Sequence, residues 1–155
     1  MSSVFDRLCE LLRQGKAEFH VTNHEPVFTS EQAALVRGTT LSSGAKALIC
    51  KFDNVFAMFV LPADRKLDSK SVRKQLNARS MRFATREEVF DITGLQPGSI
   101  PPFGSVFDLK TYCDERLCEE QVINFNAGDH AISISLAFSE FERVERPSLG
   151  TFAAD

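Results

Sequence analysis

Three stretches of this 155-residue chain carry side chains able to do chemistry. The first ends in Lys46. A polar, turn-rich run from Arg37 to Gly44 leads up to it, and the apolar run Ala47-Leu48-Ile49-Cys50 follows. Successive side chains of a strand alternate faces, so Lys46 stands at the mouth of a strand with Ala47 turned to the other side. Gly44, two residues earlier, lets a second backbone or a ligand come close. An ammonium in that place suits a phosphate or a carboxylate. The structural alternative is an edge lysine that blunts strand pairing. The second stretch runs from Gly94 to Gly104 and holds three glycines and three prolines in eleven residues. Proline removes conformational freedom and donor groups, and glycine permits close backbone approach. Such a loop can hold N–H and C=O groups at a small polar substrate, or serve as a rigid connector. The third is Asn124-Phe125-Asn126-Ala127-Gly128-Asp129-His130, where two amides, a carboxylate and an imidazole crowd one turn. Together they can hydrogen-bond a polar ligand, although Asn and Asp are ordinary turn residues. His130 is a candidate acid or base, or simply a surface histidine.

Missing signatures narrow the chemistry. The chain has no G-x-S-x-G elbow, no P-loop and no H-E-x-x-H. Cys9, Cys50, Cys113 and Cys118 show no C-x-x-C spacing. Cys9 and Cys50 read as small buried hydrophobes. Cys113 and Cys118 could approach each other, but nothing demands a bridge. His20, His24 and His130 share no ligand-like spacing with the cysteines, so neither a metal nor any other cofactor is expected. An enzyme built this way works by positioning and electrostatics, without a covalent nucleophile.

Composition is that of a globular protein, 43% hydrophobic and 25% charged, with fourteen phenylalanines and no tryptophan. The length suits one domain spanning residues 1–155 with a core of its own. A net charge of −3 excludes a global basic field for nucleic acid. A local basic stretch remains, from Lys66 through Lys70, Arg73, Lys74, Arg79 and Arg82 to Arg86. It is either a contact for a polyanion or a solvated helix face. Free thiols without a signal-like segment point to a reducing, cytoplasmic location. No apolar run reaches the roughly 18 residues of a membrane span.

The elements that must position these residues follow from periodicity. Val4, Leu8, Leu11 and Leu12 mark an amphipathic helix with Ser3 as cap and Gly15 at its end. Phe19–His24 alternates as a strand. Thr29-Ser30-Glu31-Gln32 predicts a capping box and a helix stopping near Gly38. Ala45–Lys51 and Val55–Leu61 predict a hairpin. Ser69–Ala78 predicts a helix with a basic face, and Thr85-Arg86-Glu87-Glu88 opens another that Gly94 ends. A strand lies within Val106–Tyr112 and a short helix or turn within Asp114–Glu120. Val122–Phe125 and Ala131–Ala137 predict strands, the second with Ile132, Ile134 and Leu136 opposite Ser133 and Ser135. Ser139 can cap a last helix, and the tail from Pro147 reads as frayed. Interleaved helices with several hairpins give an α+β class with a mixed sheet.

These pieces, in this order, resemble the YbaK/prolyl-tRNA synthetase-associated domain family, the freestanding aminoacyl-tRNA editing deacylases. The resemblance rests on Thr29–Gly38, Gly44-Ala45-Lys46-Ala47-Leu48, Ala78–Glu88 running into Thr93–Gly104, and Asn124–Gly128, and spans roughly residues 20 to 145. It implies a barrel-like mixed sheet flanked by helices. The implied activity is hydrolysis of the ester joining a wrong amino acid to the 3′-terminal adenosine of tRNA, with the substrate's ribose hydroxyl assisting water. The resemblance implies Lys46 on the terminal phosphate and the Gly98–Pro102 loop at the aminoacyl group; with His130 added as a candidate acid or base from its own chemistry, the expected catalytic group is Lys46, Gly98 and His130. Thr29, Ser30, Ser99, Ile100, Pro101, Pro102, Phe103, Asn126 and Gly128 are the expected substrate-binding residues, and Lys74, Arg79 and Arg82 the expected tRNA contacts. The expected partners are mischarged tRNA and an aminoacyl-tRNA synthetase. Alanine-specific members carry a His-Pro motif at Phe125–Gly128, and cysteine-specific members a Gly-Gly turn. The Asn-Ala-Gly turn and Arg37-Gly38-Thr39-Thr40 are more similar to members acting on seryl- or threonyl-tRNA. The alternative is a non-catalytic module of the same fold that binds tRNA or a synthetase.

Overall fold

A computed structural model describes residues 3–155. Helix α1 (Val4–Gln14) buries Val4, Leu8 and Leu12, and Ser3 and Asp6 close a capping box at its start. In α2 (Ser30–Arg37) the Thr29 hydroxyl accepts from Gln32 N–H at 3.1 Å. The Gln32 amide oxygen, however, accepts from Phe28 N–H at 3.0 Å, one residue before the cap, so the box expected here is not closed on Thr29. Asp68 caps α3 (Ser69–Leu76), which Asn77 ends in the left-handed region two residues short of expectation. Thr85 and Glu88 form the full box of α4 (Arg86–Thr93). Helix α5 (Phe138–Glu145) begins one residue before Ser139; Ala137 holds the cap position and no side chain caps it.

The strands are β1 (Phe19–Asn23), β2 (Ala45–Phe52), β3 (Val55–Pro62), β4 (Met81–Phe83), β5 (Thr111–Asp114), β6 (Val122–Asn126), β7 (Ile132–Ala137) and β8 (Ser148–Gly150). β2 and β3 form the expected hairpin, but its turn has two residues and not the three from Phe52 to Asn54, because Phe52 pairs with Val55 and ends β2. Asp53 and Asn54 both take positive φ (47° and 76°), which matches the right-handed twist of a hairpin. The Asp53 carboxylate accepts from the N–H groups of Arg79 and Ser80, fixing the segment that enters β4. A three-stranded antiparallel sheet has the order β1-β7-β6, and a five-stranded mixed sheet the order β4-β2-β3-β5-β8.

The barrel-like closure expected above is not formed. Among the described residues the two sheets meet through a single parallel bridge, Gly44 to Asn124, where Asn124 N–H donates to Ser43 O at 2.9 Å. Beyond it β2 gives its ladder groups to β3 along its length and to β4 only at Cys50–Phe52. The strands on either side of the bridge then line a cavity instead of pairing.

One core lies between the sheets and under α1 and α5, built from residues such as Leu8, Ile49, Met58, Phe103, Phe125 and Phe141. A second covers the other face of the larger sheet, with Phe59, Tyr112, Val72 and Phe152. β3 is therefore buried on both faces, which explains its unbroken apolar run. The tail is not frayed. β8 pairs with β5, and Phe152 packs edge-on to Phe59 at 5.5 Å between centroids. The buried Asp114 carboxylate accepts from Phe152 N–H (2.8 Å) and Ala153 N–H (2.7 Å), holding the tail down.

Candidate active site

A cavity of about 180 Å3 opens where the sheets diverge. Its floor is the start of β2, one wall is α2 from Thr29 to Arg37, and the other combines Gly98, Ile100 and Asn124–Asn126. That volume falls below the ~300 Å3 where drug-sized sites begin, so it suits a small group.

Lys46 lines this cavity, half-buried, and among the described residues its ammonium makes neither hydrogen bond nor ion pair. Burial pushes its pKa below the ordinary lysine range, against the pull of the Asp64 and Glu31 carboxylates. Gly44 beside it is needed for close approach: a Cβ there would stand 3.0 Å from the Ala63 Cβ. Gly98 takes φ +94°, a conformation other residues adopt only under strain, and a Cβ would face the His130 ring at 3.4 Å. Its carbonyl accepts from Asn126 Nδ2 at 2.6 Å. Lys46, Gly98, Ile100, Asn126, Thr29 and Ser30 are thus brought together around one space.

Other expected site residues hold the loop in place and do not line the cavity. Ser99 is buried; its hydroxyl donates to Gln96 O (2.8 Å) and its carbonyl accepts from Gly128 N–H (2.8 Å). Gly128 faces α1, where a Cβ would meet Val4 at 3.1 Å. Pro101 and Pro102 are buried, and Phe103 lies in the core between Phe125 and Phe141, out of reach of a ligand. The loop turns inward after Ile100, so its rigid second half is an anchor. His130 sits behind Gly98. Its Nδ1 is 3.0 Å from Val27 O, which can only accept, so Nδ1 carries the proton. The ring packs on Phe28, centroids 4.7 Å apart.

Lys74, Arg79 and Arg82 lie toward the opposite end of the sheet. Arg82 stands opposite Lys51 on β2, five residues from Lys46 and therefore about 16 Å along the strand. Arg82 already holds Glu88 through two bonds of 2.7 and 2.9 Å. Lys74 is exposed in the last turn of α3, and Arg79 is exposed where the chain enters β4.

Arg37 was not singled out by its type or spacing, yet it reaches the centre of the site. Its Nε donates to Ser133 Oγ at 2.8 Å and its Nη2 to Asn126 Oδ1 at 2.9 Å. Both partners are about 90 residues away in sequence, and no local pattern marks such a contact. Burial lowers its pKa to about 10, and among the described residues no carboxylate pairs with it. Two cations, Arg37 and Lys46, therefore share a cavity whose lining includes no carboxylate. The lining of the cavity therefore carries net positive charge. Ser133, which alternation places opposite the apolar face, is buried beneath Arg37.

The cysteines are free, and burial pushes the Cys50 thiol up to about 12 and raises that of Cys113. No group of three or more His, Cys, Asp or Glu among the described residues could hold a metal ion. No helix among them is long and apolar enough to cross a membrane.

Comparison with known proteins matches these features. The "Multifunctional Ser/Thr-tRNA deacylase ProXp-y" of Escherichia coli (strain K12) is 35% identical over 156 aligned residues, covering 97% of this chain and 93% of that protein. The proline–tRNA ligase of Shouchella clausii (strain KSM-K16) is 35% identical over 89 residues, 57% of this chain but 16% of the ligase. The fold is that of a solved structure of a proposed trans-editing enzyme for prolyl-tRNA synthetase, with TM-score 0.87, 20% identity and coverage of 100% and 99% of the two chains. The hypothetical protein APE2540 gives a TM-score of 0.88 at 18% identity over 96% and 99%. A family model described as the aminoacyl-tRNA editing domain matches residues 24–144, and the chain belongs to that family.

Proposed function

We propose that this protein is an editing deacylase, hydrolysing the ester between a wrong amino acid and the 3′ adenosine of tRNA, with seryl- and threonyl-tRNA as preferred substrates. The observation that carries the reading is the cavity itself: an unpaired Lys46 ammonium and the positive-φ Gly98 turn share one small space with no carboxylate in its lining. An aminoacyl ester is already reactive, so orienting it toward water and stabilising the oxyanion that develops on its carbonyl supplies much of the rate. Lys46 binds the terminal phosphate. Gly98 presents backbone groups to the aminoacyl moiety, and the ribose hydroxyl beside the ester assists water. His130 supports the turn from behind.

The preference for a hydroxyl side chain is supported by the polar lining from Thr29, Ser30, Thr40 and Asn126 and by the name of the Escherichia coli relative. A site that hydrogen-bonds a substrate hydroxyl discriminates strongly against analogues lacking it. Lys74 and Arg79, whose charges form no ion pair among the described residues, meet the acceptor stem, with Arg82 beside them. The whole chain acts as one editing domain.

The test is deacylation of seryl-, threonyl-, alanyl- and cysteinyl-tRNA by the wild type and Lys46→Ala. Turnover of the first two that falls at least ~100-fold in a folded Lys46→Ala protein supports the proposal. Binding of charged tRNA without turnover makes the chain a tRNA-binding module and refutes it.

A further inference from the structure

Arg37 occupies a position that the substrate chemistry alone does not explain. Asn126 on β6 and Ser133 on β7 are directly opposed across the antiparallel pair. Arg37 reaches in from α2 and grips both, one with Nε and one with Nη2. A guanidinium has its donors in a fixed planar fork, so two such bonds set its orientation. Ser133 is itself fixed. His24 Nδ1 lies 2.7 Å from the Glu25 carbonyl and must donate to it, and in the neutral ring Nε2 then accepts the Ser133 hydroxyl proton at 2.7 Å. The Ser133 oxygen is then free to accept from Arg37.

The same logic assigns the Asn126 amide. Its Oδ1 accepts from Arg37, so its Nδ2 faces the other way and donates to Gly98 O at 2.6 Å. That bond uses one lone pair of the carbonyl, polarises it, and leaves the second for a group in the cavity. Without Arg37, the Gly98 carbonyl is the one remaining side-chain partner of Asn126 among the described contacts, so the amide loses the second anchor that fixes its position and the Gly98 turn shifts with it.

From this geometry we infer that Arg37 is a positioning residue, acting through Asn126 to set the Gly98 carbonyl against the substrate, and not a direct contact to it. The inference rests on the ester-hydrolysing reading of the cavity for its kinetic consequence, but the hydrogen-bond relay can be tested without it.

Arg37→Met, Arg37→Lys, Asn126→Ala and the Arg37→Met/Asn126→Ala double variant are assayed on seryl-tRNA and on 3′-seryl-adenosine, which lacks a phosphate. Both Arg37→Met and Asn126→Ala lower kcat about 10- to 100-fold with KM little changed, the size expected for a displacement near 1 Å. The double variant is no worse than the worse single variant, the loss persists on 3′-seryl-adenosine, and Arg37→Lys does not rescue because a lysine cannot span both partners. Additive losses, or a loss confined to the phosphate-bearing substrate, make Arg37 an anion contact and overturn the inference, as does rescue by lysine. A second measurement is independent of activity. In 15N-labelled protein, Arg37→Met shifts the Asn126 side-chain amide and the Gly98 and Ser99 backbone amides, whereas Leu35→Ala, an exposed change on the same helix, leaves them in place. Unmoved resonances in a folded Arg37→Met protein overturn the relay. If the wild type cleaves neither ester, the proposed activity fails while the resonances still decide the relay.

Discussion

Replacing Gly98 with alanine separates the backbone requirement of the site from its side-chain chemistry. Gly98 has φ +94°, and an added Cβ would meet the His130 Cε1 at 3.4 Å, an ordinary contact. Space is therefore not the obstacle; the backbone angle is. Holding an alanine there costs about 1–2 kcal/mol. For a domain of this size that lowers Tm by about 2–8 °C. The chain can instead relax by moving φ to negative values, which swings the Gly98 carbonyl off Asn126 Nδ2. Relaxation is the expected outcome, and the loss at the cavity then exceeds the loss of stability, because a shift near 1 Å in a positioning group costs about 100-fold in rate. Gly94 supplies the control. It has φ +73°, no heavy atom lies within 4 Å of its ideal Cβ, and it ends α4 away from the cavity. Gly94→Ala thus carries a similar backbone cost without touching the site. The measurement is deacylation of seryl-tRNA at 25 °C, with the folded fraction of each variant determined by urea titration. Gly98→Ala is expected to lose about 100-fold in kcat/KM and Gly94→Ala to stay close to wild type. Equal rates for the two folded variants would refute the claim that the Gly98 turn shapes the site.

Two stability predictions follow from contacts outside the cavity. Asp114→Ala strips the acceptor from three backbone N–H groups, those of Arg116, Phe152 and Ala153. With the latter two bonds buried, it lowers unfolding free energy by about 2–4 kcal/mol and exposes the Lys66–Leu67 and Phe152–Ala154 backbone to hydrogen exchange; unchanged exchange there would show that the tail is held by packing alone. Glu88 is hydrogen-bonded by the Arg82 guanidinium and by Thr85 N–H, which hold its carboxyl down at about 2, against an ordinary value of 4.5. The unfolded chain then binds more protons than the folded one between those values, so stability rises with pH across that window and is lost as pH falls through it. Glu88→Gln flattens this part of the stability–pH curve, measured by urea unfolding between pH 2 and 5; a curve parallel to wild type rejects the pairing.

The residues legible in the sequence are those whose role is local. Lys46 stands two residues after a glycine at the mouth of a strand, Gly98 sits between prolines, and Asn126 precedes a turn. Each of these can be read within a few positions, and the structure sets all three around one cavity. The hairpin at Asp53-Asn54 and the box at Thr85–Glu88 were legible for the same reason. Phe103 shows where local reading stops. A Gly/Pro-rich loop reads as stiff, but not as having one half facing a ligand and the other facing the core, and only packing against Phe125 and Phe141 decides that. The barrel closure failed at the same level. Strand existence follows from alternation, whereas the pairing of β6 with β2 beyond Gly44–Asn124 depends on what lies between them, and α2 with its Arg37 fills that side.

Phe152 left a signal that could have been used: a bulky apolar residue in a segment otherwise read as frayed, with Asp114 waiting to accept from its N–H. Arg37 left none at its own position. Its meaning lies in a serine and an asparagine that face each other only once β6 and β7 pair. The cation that orders this site is therefore specified by sheet register: slip β7 by one residue against β6 and every side chain changes face, Ser133 leaves Asn126, and the fork of Arg37 has nothing to span.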